Sequence, residues 1–204
     1  CVRLHHNSYL FLNYLKNKTT LVEMFDSIFL FLVLLRLAFW LVSHCQAPSG
    51  RDEYLQRMRS TAQVEVYGKC SGNLSLQRGN SHEKHQLARY KFYIAFENSK
   101  CPEYVTEKLY KIINLEFSDN PPVPIVMGPE KAWYDQHLPE KSFIHVDDFS
   151  HPEALGRYLE YLNSHNDKYL EYLNWRKYHK LICNPTIRCK LCDILLRNNF
   201  AAEK

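Results

Sequence analysis

The sequence has no Gly-x-Gly-x-x-Gly and no Gly-x-x-x-x-Gly-Lys-Ser/Thr, so neither the dinucleotide fingerprint nor the P-loop is there to cradle a phosphate. It has no internal repeat and no low-complexity tract, which excludes repeat architectures and unstructured linkers. It has little net charge, +4 from 26 basic and 22 acidic residues, and the basic residues do not cluster. That argues against nucleic acid as a partner and suits an anionic small ligand equally well. What the chain does have is 204 residues, 46% of them hydrophobic, enough for one domain with a substantial core. Fourteen Tyr and eleven Phe make that core aromatic. Seven cysteines, an odd number, would leave at least one thiol unpaired in an oxidising compartment.

Residues 1–36 contain neither Gly nor Pro and do not read like the rest. They lead into an apolar run, Ile28 to Val42, broken by Arg36. As a helix that run reaches about 22 Å, short of the roughly 30 Å hydrocarbon core. With Lys16 and Lys18 upstream, as in an anchor with its N-terminus in the cytosol, a membrane span is one reading of it. Alternatively it divides into a buried segment, Phe29–Leu35, and a strand, Leu37–Ser43. No small-residue cleavage site follows, so a signal peptide fits poorly.

From Leu37 the pattern alternates between β and α. Strands are predicted at Leu37–Ser43, Val64–Tyr67, Tyr90–Phe96, Val123–Met127 and Phe143–Val146. Helices are predicted at Arg51–Arg59, Val105–Asn114, from a Ser150 cap with Glu153 as its capping-box partner to Asn163, and at Asp167–Tyr178. This alternation implies an α/β fold, a largely parallel sheet with helices on its faces, whose ligands sit at the carboxyl ends of the strands.

One strand-to-helix junction stands out, running from Phe96 through Glu97, Asn98 and Ser99 to Thr106, Glu107 and Lys108. Thr106 is expected to cap a helix whose free N–H groups suit a phosphate. Lys108 in the first helical turn runs against the helix dipole, a conflict that a diphosphate in front of it would resolve. Asn98 and Glu107 could hydrogen-bond sugar hydroxyls. An exposed polar loop with an ordinary cap has the same spacing.

The wording of this segment resembles the signature of the α1,3/1,4-fucosyltransferases: Tyr90-Lys-Phe-Tyr-Ile-Ala-Phe-Glu-Asn-Ser99, then Cys101-Pro-Glu-Tyr-Val-Thr-Glu-Lys-Leu109. Further matches come in the family's order. They are Trp40-Leu-Val-Ser43 with Cys45, Ser49-Gly-Arg51, Val66-Tyr-Gly-Lys-Cys70, Val123 to Pro129, Ser142 to Phe149, and Trp175-Arg176. The resemblance covers about Leu37 to Cys192 and divides the chain into a divergent segment, 1–36, a GDP-fucose-binding domain, 37–192, and a tail, 193–204.

The resemblance implies a Rossmann-like sheet, the donor-binding half of a GT-B glycosyltransferase. It implies transfer of fucose from GDP-fucose to GlcNAc or Glc hydroxyls of glycoprotein or glycolipid glycans, in α1,3 or α1,4 linkage, with inversion. By similarity Arg51 and Lys108 neutralise the diphosphate, while Asn98, Tyr104 and Glu107 hold phosphate, ribose or fucose. No cofactor is required; Mn2+ is implied by no motif, and Asp147-Asp148 reads as a loop carboxylate pair near the donor cleft. The family places a Golgi anchor, type II, and the lobe carrying the general base upstream of this region. Residues 1–36 do not match that lobe, and nothing marks Glu23 or Asp26 as the base. The alternative is therefore a nucleotide-sugar-binding fragment without catalysis.

Other constellations are weaker. His179, Cys183, Cys189 and Cys192 have loose zinc-like spacing; in the family the terminal pair, Cys189 and Cys192, forms disulfides toward the N-terminal lobe. Cys70 and Cys101 each follow a strand and are candidates for a disulfide with one another. His82, His85, His145 and His151 read as surface or structural residues, and Tyr158, Tyr161, Tyr169 and Tyr172 as core. Asn17 and Asn73 head N-glycosylation sequons.

Overall fold

The computed structural model describes residues 35–72, 86–113 and 121–179. Asn17, Asn73, His82, His85, Cys183, Cys189, Cys192 and the tail lie outside the described residues.

The elements in chain order are β1 (Arg36–Leu41), α1 (Arg51–Met58), β2 (Val64–Tyr67), β3 (Tyr90–Phe96), α2 (Glu107–Ile113), β4 (Val123–Met127), α3 (Lys131–His137), β5 (Ile144–His145), α4 (Pro152–Ser164) and α5 (Asn166–Glu171). Among the described residues all strand pairs are parallel, in the order β2-β1-β3-β4-β5. The order reverses between β1 and β3, and in such sheets the crevice at the carboxyl ends of the two strands flanking the reversal is where ligands bind.

Strand side chains alternate between two cores, as the period of two requires. Trp40, Phe92, Ile94, Phe96, Ile125 and Met127 face Leu55 and Met58 of α1 and Leu155, Leu159 and Leu162 of α4. Phe39, Leu41, Tyr93, Ala95 and Val126 face Leu109, Ile112 and Ile113 of α2, Tyr134 of α3, and Trp175. One polar residue breaks the apolar β3. Lys91 is fully buried, and its Nζ donates to the Asn163 carbonyl and to Asn166 Oδ1, each at 2.9 Å. That bond satisfies a carbonyl in the last turn of α4 and places a cation at the negative end of its dipole. Burial pushes the Lys91 amine down.

Several boundaries differ from the sequence reading for local reasons. Arg36 starts β1 instead of interrupting an apolar helix: it lies opposite Tyr90 in register, and its guanidinium pairs with Glu65 at 2.8 Å. The second half of the apolar run is thus an internal strand, and among the described residues no helix is long and apolar enough to cross a membrane. The cap of α4 is His151, not Ser150. Pro152 at the first helical position forces the preceding residue into extended backbone, and Glu153 turns to Arg57 at 2.9 Å. The helix expected over Asp167–Tyr178 breaks after Glu171 into a 3-10 turn, Asn174–Lys177. The break lets Tyr169 bury in one core and Trp175 in the other. Tyr161, expected in the core, is exposed. Helix α3, seven residues long, went unrecognised.

Candidate functional site

Three consecutive residues at the end of β3, Phe96 to Asn98, gather the loops at the sheet's reversal point. From the loop after β1, Ser49 Oγ donates to the Glu97 carbonyl at 2.8 Å, and the Ser49 N–H donates to the Asn98 carbonyl at 3.0 Å. Gly50 then adopts φ 74, a left-handed conformation that suits glycine, and α1 begins. Arg51, its first residue, turns inward. It is buried, its Nη1 donates to the Phe96 carbonyl at 2.9 Å and its Nη2 to the His44 carbonyl at 2.6 Å. The guanidinium also lies 5.6 Å from the Trp40 ring centre. Arg51 therefore ties the ends of β1 and β3 together from below the loop.

From the other side, Lys108 of α2 reaches back to Glu97. Its Nζ lies 2.8 Å from Glu97 Oε2 and 2.8 Å from Thr106 Oγ1. Glu97 is fully buried and also accepts from the Thr106 N–H at 2.8 Å and from the Thr106 hydroxyl. The conflict between Lys108 and the helix dipole is thus answered within the protein, by a buried carboxylate. The Thr106 N–H, expected to face a phosphate, is engaged by the same group. Both loops hold a non-glycine residue in the left-handed region, Gln46 at φ 55 and Glu103 at φ 59, a strained conformation that concentrates at functional sites.

The remaining expected site residues lie on this rim. Asn98 Oδ1 is buried and has no hydrogen-bond partner among the described residues. A buried acceptor of this kind costs stability unless a ligand or water fills its need. Tyr104 and Glu107 are exposed. Tyr104 projects from a turn in which its N–H bonds to the Cys101 carbonyl at 3.2 Å. Asp147 and Asp148 sit in a turn after β5. There the Asp147 N–H donates to Nδ1 of the buried His145, whose Nε2 faces the Pro129 carbonyl at 3.2 Å. Burial pushes this imidazole below its usual value, against the opposing pull of Asp147 and Asp148. It is a structural histidine.

The disulfide is not the expected one. Cys70 bonds to Cys45, with Cα atoms 5.5 Å apart, and Cys101 is free and exposed. The topology supplies the reason. Cys70 follows β2 and Cys101 follows β3, and β1 lies between them. Two strand spacings are roughly 10 Å, beyond the ~7 Å that a disulfide bridges. Cys45 follows β1, the strand adjacent to β2.

Sequence reasoning passed over Glu97 as a site residue. The signal available was a carboxylate at the end of a strand otherwise fully buried. Two concavities, about 370 Å³ at the start of β1 and about 660 Å³ along β2, lie away from this site. Neither adjoins the reversal between β1 and β3, so topology and the charged cluster weigh more than hollow volume.

Comparison with known proteins adds to this geometry. Residues 35–203 match the model of "Glycosyltransferase family 10 (fucosyltransferase) C-term". Over 138 residues, 68% of this chain, it is 41% identical to the human 4-galactosyl-N-acetylglucosaminide 3-alpha-L-fucosyltransferase FUT5, of which 35% is covered. It is equally identical, over the same length, to the human 3-galactosyl-N-acetylglucosaminide 4-alpha-L-fucosyltransferase FUT3, of which 36% is covered. The chain thus spans about a third of the length of these curated relatives. Among solved structures, an alpha1,3-fucosyltransferase with GDP-fucose superposes with TM-score 0.57 at 28% identity, covering 74% of this chain and 42% of that one.

Proposed function

The chain belongs to glycosyltransferase family 10, the fucosyltransferases, and from that membership we propose that its sheet binds GDP-fucose at the β1/β3 crevice and serves fucosyl transfer to a glycan hydroxyl. The observation that carries the reading lies at the carboxyl end of β3, where Lys108 is held by the buried Glu97 and the neighbouring residue, Asn98, leaves its buried Oδ1 open as an acceptor. A relative of the same fold was solved with GDP-fucose.

In this reading Lys108 contacts the diphosphate directly, and Arg51 holds the loop beneath it in place through the Phe96 and His44 carbonyls. Asn98, Tyr104 and Glu107 line the sugar and ribose side. Transfer breaks the bond between the anomeric carbon and the GDP oxygen while the acceptor oxygen bonds from the opposite face, with inversion. The acceptor proton goes to a general base, and the electron pair leaves on GDP, where positive charge stabilises it. The acceptor is a GlcNAc or Glc unit and the linkage α1,3 or α1,4. The protein works on the lumenal side of the Golgi, held there as a type II membrane protein. The Cys45–Cys70 disulfide supports an oxidising compartment.

A second reading, donor binding without transfer, is favoured by one observation. Glu97, the carboxylate at the centre of the site, is buried and held by Thr106 and Lys108, so it is not placed to take a proton from an acceptor. Calorimetry with GDP and a transfer assay with labelled GDP-fucose and lactosamine acceptors separate the two. Turnover abolished by Lys108→Ala supports the first reading; GDP binding without turnover supports the second; absence of GDP binding overturns both.

A further inference from the structure

The pair at the end of β3 is asymmetric. The Glu97 side chain is 1% exposed and the Lys108 side chain 14%, so the carboxylate lies inside and the ammonium outside. An ammonium has three N–H donors. Two of them are directed at Glu97 Oε2 and Thr106 Oγ1, and the third has no partner among the described residues. Thr106 bridges the two, its hydroxyl donating to Glu97 and accepting from Lys108. Behind the carboxylate the space is closed. A Cβ at Gly128, just past the end of β4, would lie 3.1 Å from Glu97 Cγ and 2.8 Å from the hydroxyl of the buried Tyr134. Glu97 is therefore fixed from behind by packing and from in front by Thr106, and it holds a long, otherwise mobile cationic side chain in one rotamer before any ligand arrives.

From this geometry we propose that Glu97 is the positioning residue for Lys108: it preorganises the ammonium so that its remaining N–H meets the diphosphate of the nucleotide sugar. The inference rests on the donor-binding reading above and extends it to a residue that does not itself touch the ligand. The gain comes from ordering the side chain in advance, which removes that cost from the binding step. The carboxylate partly offsets the charge of Lys108, but it is buried behind the ammonium, so positioning outweighs repulsion.

The test is a double-mutant cycle on the full 204-residue chain, read by calorimetry with GDP and with guanosine. Glu97→Gln should weaken GDP binding on the order of tenfold, the effect of disturbing one hydrogen bond to a charged group. Guanosine binding should be unchanged. On a Lys108→Ala background the same substitution should have no further effect on GDP. A merely structural role would lower GDP and guanosine alike and would add to the Lys108→Ala loss; either result overturns the proposal, as does GDP affinity that is unchanged or raised. Should Glu97→Gln not fold, Thr106→Val, which removes only the bridging hydroxyl, is judged by the same criteria. A wild-type chain that does not bind GDP overturns the donor-binding reading and this inference together, whereas GDP binding that depends on Lys108 but not on Glu97 overturns this inference alone.

Discussion

Gly156 of α4 packs directly on Thr61, in the turn that links α1 to β2. A Cβ on Gly156 would overlap Thr61 Oγ1 and lie 2.8 Å from the Met58 carbonyl. Thr61 is itself held, its hydroxyl donating to the Glu153 carbonyl at 3.0 Å. The contact lets α1 and α4 approach closely over one face of the sheet. Gly156→Ala gains about 1 kcal/mol of helix propensity but must push two helices apart. We expect a net loss of about 1–3 kcal/mol, the usual cost of overpacking. Chemical denaturation checks this; a neutral or stabilising result would mean the helices separate without cost.

The Cys45–Cys70 disulfide closes a segment of 25 residues that includes α1 and β2. Cys45→Ser should cost about 3 kcal/mol, the scale of chain entropy restored to the unfolded state by opening such a loop. Cys101→Ser should leave stability unchanged. Urea midpoints in oxidising and in reducing buffer are the measurement, and the two proteins should converge once the wild type is reduced.

Lys108 and Arg51 carry like charges but should respond differently to removal. Lys108→Ala should weaken GDP binding by about 1.5–3 kcal/mol, the range for hydrogen bonds to charged groups, and spare guanosine. Arg51 is buried and holds the carbonyls of Phe96 and His44. Its loss leaves those acceptors short of partners, so Arg51→Ala should lower thermal stability by about 3 kcal/mol and weaken GDP and guanosine together. If Arg51→Ala left the melting temperature unchanged and weakened GDP alone, its charge, not its packing, would be what the site uses.

Stability should fall on mild acidification through His145. In the folded chain its Nδ1 accepts from the Asp147 N–H, so Nε2 carries the proton and donates to the Pro129 carbonyl. Protonating Nδ1 would set two N–H groups against each other in a buried place. The folded value is depressed by burial, while the unfolded chain titrates near 6.5. The unfolded state therefore binds more protons below that value. Stability is fully present above pH 6.5 and declines as pH falls through the folded value. Denaturation midpoints from pH 7.5 down to 5 should show this decline. His145→Asn should be less stable at neutral pH but flatter across the range; a wild-type profile flat over that range would count against the assignment.

The alternation of strands and helices was legible in the residues because it is local. An apolar strand such as Tyr90–Phe96 declares itself by composition, and β2, β3 and β4 fall within their predicted bounds. The junction from Phe96 to Lys108 was legible for the same reason, as a strand end, a polar loop and a helix start within one short stretch. Short helices such as α3 and the break after Glu171 were not, because their stability comes from burying Tyr134 and Trp175 against the sheet and not from their own propensity. The order of strands lies further from the sequence still. It depends on which long-range pairs close, and no local spacing encodes that β1 lies between β2 and β3. That single fact gave Cys70 its partner in Cys45 and set Ser49 and Arg51 against the end of β3. Glu97 was visible in the sequence as one acid among many. Only the fold removed it from water, and a carboxylate without water must find donors, which is why it holds Thr106 and Lys108.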